Sequence, residues 1–587
     1  MNPYQWVWQY AKKSRWQIVV ALILIVINSA GIVVVPLLGG LIVDRVINQG
    51  HTQLLIPYLA IMLGMTLFRT LIRYCYIILC ERIGQNSLYN IRHDLFTQLQ
   101  SLDYTFFNSV TSGDIMARLT GDTDAIRHFL CWVTYNTLEC VLWFLTAIFV
   151  MAAINWQLML ALVILTPFIA ILTNRMSKEA HSVFFNIRQS FARLNAMVEE
   201  NISGNRVIRA FAREKFEVQK FEKLNRDYRD KNMASAAVSR RYLPALDFLA
   251  SLLSVIVLLF GSFLVINHHM TLGALVSFNG FLWMLNQPMR MSGWLINDIQ
   301  RFSAATIKIR AMLDAQPVIK PTKNVAVTPI KGEVTFQHVD FAFPDAPEVK
   351  VLDDINFTVK PGQTLGILGE TGSGKSTLMN MIARFYDPTS GQVLVDGRDV
   401  RDWPAQVLRN QTTIVTQDLF LFSDSIVDNI NYGNRQAPEQ FIREMADIAD
   451  ANNFISTMPD GYGTVVGERG VGLSGGQKQR ISLTRALVKD PRILILDDTT
   501  SALDMETEAT IQKRLRKVTR DKTVFIIASR TSSLRRADQI IVLRHGRIVE
   551  HGTHEDLLAM DGYYAETYRR QLGLLKTAKG ADDLGKA

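Results

Sequence analysis

The chain has 587 residues, too many for one hydrophobic core, so two or more domains are expected. Its hydrophobic fraction of 48% is high for a wholly soluble protein and points to a membrane part. The formal charge is +9, but the Lys and Arg flank apolar runs, which fits membrane borders and speaks against nucleic acid as a partner.

In chain order, the opening MNPYQWVWQYAKK places aromatics beside a basic end, as in a short interfacial helix. Six candidate spans follow, near 16–43, 54–80, 129–154, 156–176, 242–267 and 272–296. The second carries Arg69 and Arg73, and the sixth carries Arg290. The connections 81–128 and 177–241 are long, basic and helix-like, whereas the other three are short. That asymmetry puts the long connections, the N-terminus and everything after the sixth span in the cytoplasm of a multi-pass membrane protein. Cys75, Cys80, Cys131 and Cys140 all lie in apolar segments and read as small buried hydrophobes.

Charges within spans are costly and usually meet a cavity or a partner. Glu139 and Asp247 are therefore candidates for contacting a cationic substrate, with a hydrogen bond between helices as the competing reading. The sixth span adds Trp283, Asn286 and Arg290, in a Met/aromatic wall that suits either an apolar pocket or ordinary packing. On this reading the transmembrane domain covers 1–315 and the Pro-containing stretch 316–331 is a linker. Short β-like runs then alternate with helical ones from 332 to 570, as in an α/β domain, and 571–587 is a small, charged, disordered tail.

The second half carries the chemistry. Gly369, Glu370, Thr371, Gly372, Ser373, Gly374, Lys375 and Ser376, followed by Thr377, match a phosphate-binding loop between a strand and a helix. The backbone N–H groups of such a loop point at phosphate oxygens, Lys375 reaches the β/γ-phosphates, and Ser376 ligates Mg²⁺. The strand ILIL ends in Asp497, which suits the same Mg²⁺ through water. Between them lies LSGGQ, Leu473, Ser474, Gly475, Gly476 and Gln477, whose small residues at a helix start offer a hydroxyl and N–H groups to an anion.

With these three motifs together, the chain resembles an ATP-binding cassette exporter of the half-transporter type over nearly its whole length. The implied fold is a six-helix transmembrane domain with long cytoplasmic extensions, then an α/β nucleotide-binding domain with P-loop ATPase activity. In the family LSGGQ is the signature that completes the partner's ATP site. Gln417, in IVTQDLFLF, matches the loop glutamine that contacts Mg²⁺. Phe343 stands where a tyrosine usually stacks on adenine. TVVGERG resembles the segment placed beside the coupling helices, and SALD, ending at Asp504, the loop that crosses the dimer interface. The stretches near 105–125 and 200–217 resemble the two coupling loops.

Two positions depart from the family pattern. Asp498 replaces the glutamate that polarises the attacking water, and Ser529 replaces the switch histidine that contacts the γ-phosphate. Both fall in the site built on this chain's phosphate loop. The chain thus resembles the degenerate-site subunit of a heterodimeric bacterial multidrug exporter, whose partner has Glu and His at these positions. The resemblance implies ATP and Mg²⁺ as ligands, the bacterial plasma membrane as location, and amphipathic compounds as cargo. Lipid or peptide export uses the same architecture, and an ATP-binding regulatory or gating subunit is the rival from another class.

Overall fold

The computed structural model describes residues 2–320, 329–499 and 504–572. The middle of the expected linker, residues 501–503 of SALD and most of the expected tail lie outside the described residues. The chain divides into two compact units, one of residues 1–101 and 110–315, the other of residues 102–109 and 316–587.

The first unit is all helix. Among the described residues, five stretches are long and apolar enough to cross a membrane: Pro3–Asn48, Thr52–Ser101, Ser112–Ile154, Trp156–Ser203 and Glu214–Ile266. The sixth expected span also forms a helix, Leu272–Leu313, but it lacks a sustained apolar run. Asn279, Asn286, Gln287 and Arg290 interrupt it. It is instead deeply packed, with Phe278, Phe281, Met284 and Leu285 fully buried. A helix that faces its neighbours does not need lipid-compatible side chains all round.

Its closest approach is to the first apolar stretch. A Cβ on Gly273 would overlap the carbonyl oxygen of Gly40. The Gly273 N–H donates to Asp44 Oδ1 at 2.7 Å, and the Ser277 hydroxyl donates to the Pro36 carbonyl at 3.0 Å. Small residues let the two backbones meet, and the polar pairs fix their register. The helices Thr166–Ser203 and Glu214–Ile266 have 38 and 53 residues. At about 1.5 Å per residue both exceed the ~30 Å hydrocarbon thickness. The break between them is short: Gly204, the helix Asn205–Ala210 and a turn at Phe211–Arg213.

The second unit holds two sheets. Strands β1 (Val334–Ala342), β2 (Lys350–Val359), β3 (Thr364–Gly369), β4 (Ser390–Val395), β5 (Arg398–Asp399), β6 (Thr412–Val415), β7 (Ile493–Asp497), β8 (Thr523–Ile527), β9 (Gln539–Arg544) and β10 (Arg547–Gly552) occur in that order. The smaller sheet is antiparallel, β2-β1-β4-β5. The larger runs β10-β9-β3-β8-β7-β6, parallel throughout except for the β9–β10 hairpin. Its central strands are uninterrupted apolar runs because helices and the second sheet cover both faces; every residue of β7 is buried. A second core gathers the helices between β6 and β7, with Ile430, Ala446, Ile455 and Ile481 at its centre.

The sequence reading assigned residues 102–109 to the membrane half; compactness groups them with the nucleotide half. Tyr104 packs on Phe385 with ring centroids 4.6 Å apart, and the Asn108 amide donates to the Tyr386 hydroxyl at 2.8 Å. Asp103 accepts the Val318 and Ile319 N–H groups at 2.5 and 3.1 Å. This short segment thus gains an aromatic socket and two charge-assisted hydrogen bonds.

Candidate nucleotide site

The parallel order of the large sheet gathers residues that the sequence holds far apart. The phosphate loop leaves the carboxyl end of β3, Ser529 follows β8, Asp497 ends β7 with Asp498 next to it, and Gln417 lies two residues past β6. These four strands are consecutive neighbours, and Ile367, Ile527 and Asp497 stand in register across three of them. The carboxyl edge of a parallel sheet is where such domains bind ligands.

The loop itself is built for close approach. Gly372 and Gly374 have φ of +83° and +101°, in the left-handed region that side chains disfavour. The helix Lys375–Ile382 starts at Gly374 without a side-chain cap, so its first N–H groups remain open to an anion. Lys375 Nζ folds back onto the carbonyls of Gly369 and Glu370 at 3.0 and 2.7 Å. Among the described residues the buried Ser373 hydroxyl has no hydrogen-bond partner.

The Ser376 hydroxyl donates to Asp497 Oδ2 at 2.6 Å, which brings two of the three expected Mg²⁺ ligands into contact. Burial pushes the Asp497 carboxyl up, Ser376 pulls it down, and neighbouring Asp498 raises it again. Burial likewise lowers the Lys375 ammonium, against the opposing pull of Asp497 and Asp498. A buried acid beside a half-buried base fits a site that takes a polyanion and a cation together. No group of three or more His, Cys, Asp or Glu among the described residues forms a protein-only metal cage. Such a donor set suits Mg²⁺, a hard cation that takes few protein ligands alongside phosphate and water.

Asp498 lies just past β7 at φ +48°, with its N–H donating to the Ile527 carbonyl at 2.9 Å. Its backbone is thereby tied to β8, and its carboxyl starts from a fixed point. Ser529 is exposed at the corresponding edge of β8, and Gln417 is exposed past β6. Phe343 is half-buried, edge-on to Phe341 at 5.0 Å and to Tyr386 at 5.5 Å.

On another face, Ser474 caps the helix Gly475–Val488 through a complete capping box. Its hydroxyl accepts the Gln477 N–H at 3.3 Å, and its own N–H donates to Gln477 Oε1 at 2.9 Å. Leu473 packs on the second core. Asp504 caps the helix Met505–Val518 by accepting the Thr507 N–H at 2.9 Å.

Comparison with known proteins agrees with this arrangement. Residues 18–289 match the ABC transporter transmembrane region, and residues 352–501 match the ABC transporter domain. The chain is 34% identical to YknU of Bacillus subtilis, an uncharacterized ABC transporter ATP-binding protein, over 98% of each chain. The chain belongs to the ABC transporter family. It is an ABC exporter half-transporter, with one membrane region and one ATPase domain, and a multi-pass membrane protein of bacterial type. A further relative is YheI of the same bacterium, a probable multidrug resistance ABC transporter ATP-binding/permease protein. It is 37% identical over 83% of this chain and 84% of its own length. A solved bacterial Atm1-family ABC exporter with ATP bound aligns over 96% of this chain and 99% of its own, with TM-score 0.80 and 28% identity.

The membrane candidates of this ABC transporter lie on three helical stretches. Glu139 is 1% exposed and accepts from Tyr76 and Asn28 at 2.5 and 3.3 Å, joining three apolar helical stretches. That geometry favours the interhelical reading. Asp247 is exposed on the helix Glu214–Ile266. Trp283 stands edge-on to Trp143 at 5.4 Å, with Asn286 and Arg290 one and two turns further along its helix. Tyr386, which stands edge-on to Phe343 and accepts the Asn108 amide, is a lone Tyr with no spacing signal in the sequence.

Proposed function

We propose that this ABC transporter is one half of a heterodimeric, six-span exporter, and that its own phosphate-loop site holds ATP while cleaving it slowly. The N-terminus and the nucleotide domain face the cytoplasm. The cargo is amphipathic or hydrophobic, in keeping with the multidrug description of YheI. Ser376, Asp497 and Gln417 are the residues that would hold Mg²⁺, which neutralises phosphate charge when bound. Lys375 and the loop N–H groups bind the phosphates, and Phe343 stacks on the adenine. The LSGGQ helix start completes the partner's site.

The observation that carries the reading is the pair Asp498 and Ser529, at the ends of two adjacent strands. Asp is one methylene shorter than Glu, about 1.5 Å. A misplacement of about 1 Å can cost about 10²-fold in rate. The Asp498 N–H is fixed to β8, so its backbone does not advance freely to make up the difference. Ser529 offers the terminal phosphate a short hydroxyl in place of an imidazole. Two losses in one catalytic edge, beside an intact signature, fit a site that binds and a partner that turns over.

The test is to purify the chain alone and with a half-transporter that has Glu and His at the two positions. Slow turnover alone and brisk turnover together are expected. Brisk turnover by the chain alone overturns the reading. ATP-dependent dye uptake into inside-out vesicles containing the heterodimer separates an exporter from a gating subunit.

A further inference from the structure

Residues 529–533, which leave the carboxyl end of β8, are gripped from two sides by residues outside every motif. Gln571, in the last turn of the helix Tyr563–Gln571, donates through Nε2 to the Ser529 carbonyl at 2.8 Å. Its Oε1 accepts from both the N–H and the hydroxyl of Thr531, each at 2.8 Å. One amide side chain thus uses donor and acceptor on two nearby backbone positions, which neither a charged nor an apolar residue could match. Thr531 is itself buried.

From the other side comes Glu508, a carboxylate only 5% exposed. It pairs with Arg530 Nη1 at 3.3 Å and accepts from the Ser533 hydroxyl. Glu508 lies one turn into the helix Met505–Val518, and its N–H donates to the Asp504 carbonyl at 3.0 Å. A buried carboxylate persists where its partners are fixed, so the switch segment and this helix constrain each other.

We propose that Gln571 and Glu508 are positioning residues for this chain's ATP site. They hold the backbone of residues 529–533 so that residue 529 meets the terminal phosphate, and they tie that placement to the final helix and to the helix that Asp504 begins. The short Ser529 side chain reaches less far than an imidazole, so its contribution depends closely on where its backbone stands. This inference rests on the reading of the carboxyl edge as an ATP site.

The experiment uses the full-length chain in lipid nanodiscs and measures Mg-ATP and Mg-ADP affinity by displacement of a fluorescent nucleotide. Gln571→Ala and Glu508→Gln are each expected to weaken Mg-ATP about 3- to 10-fold, the worth of one hydrogen bond, with Mg-ADP unchanged. Thr531→Val removes a single donor and is expected to fall between wild type and Gln571→Ala. Should Glu508→Gln fail to fold, the Gln571 and Thr531 variants decide alone, because Gln571 is at the surface. Equal losses for both nucleotides indicate a merely structural role and overturn the proposal, as does unchanged ATP affinity. A wild-type chain that does not distinguish ATP from ADP overturns the ATP-site reading itself.

Discussion

The phosphate-loop side and the signature side of the nucleotide domain differ in what their residues can do. On the first, the binding elements are complete: Gly372 and Gly374 in left-handed conformations, Lys375 on the loop carbonyls, and Ser376 against Asp497. The residues expected to act on the attacking water and the γ-phosphate are shortened to Asp498 and Ser529. On the second, Ser474 and Gln477 close a capping box and the LSGGQ sequence is unaltered. Binding needs a cradle and a charge, and tolerates the loss of a methylene. Water activation depends on placement within about 1 Å. On the proposed heterodimer, one side loses catalysis and keeps its ligand, while the other, which would serve the partner, keeps its form.

Four changes would break or sharpen that comparison. The largest expected effect is a gain: Asp498→Glu with Ser529→His should raise hydrolysis at this chain's site about 10²-fold. Phosphate release by the chain alone and by the heterodimer reads it, and an unchanged rate means these residues are not what slows the site. Next, Lys375→Ala should weaken Mg-ATP binding about 10- to 100-fold, since hydrogen bonds from charged groups are worth about 1.5–3 kcal/mol. Equilibrium displacement of a fluorescent nucleotide measures this.

A smaller effect is expected on the other face. Ser474→Ala removes one hydroxyl donor toward the partner's nucleotide, the worth of one hydrogen bond, and should lower turnover of the heterodimer roughly fivefold. The chain's own Mg-ATP affinity should stay the same; a fall in that affinity would show that the two faces are not separable.

The smallest effect concerns pH and Asp497. Its carboxyl is raised above the usual aspartate range, chiefly by burial. Between the ordinary aspartate value and that raised value the folded state binds more protons than the unfolded state, so this group's contribution to stability falls as pH rises through the window. Asp497→Asn removes that loss. The nucleotide-free thermal midpoint at neutral pH should rise, while the further rise on adding Mg-ATP should shrink. Thermal unfolding with and without Mg-ATP at two pH values tests both parts. A lower midpoint for the nucleotide-free variant counts against burial as the dominant influence on Asp497.

Local sequence made the phosphate loop, the helix start at Ser474 and the apolar helices legible, because each depends on residues that are neighbours along the chain. A loop of glycines before Lys375 sets its own N–H directions. A Ser three residues before a Gln satisfies a helix end without distant help. The same locality explains where the reading of the sixth span diverged: Leu272–Leu313 forms the helix, but packing against its neighbours replaces the apolar run that composition alone requires. Residues 102–109 likewise changed sides because Phe385 and Tyr386, far along the chain, supply their socket.

The sequence by itself determined that this protein has apolar membrane helices and an ATP-binding cassette with two altered positions. Tertiary structure alone decided which residues share the site. The order β3-β8-β7-β6 aligns four distant motifs on one edge, and Gln571 and Glu508 reach the switch segment from helices that no motif marks. It also turned Glu139 inward to Tyr76 and Asn28. The physical reason is range: backbone geometry and caps are set within a few residues, whereas strand order and buried polar pairing depend on which distant surfaces exclude water together.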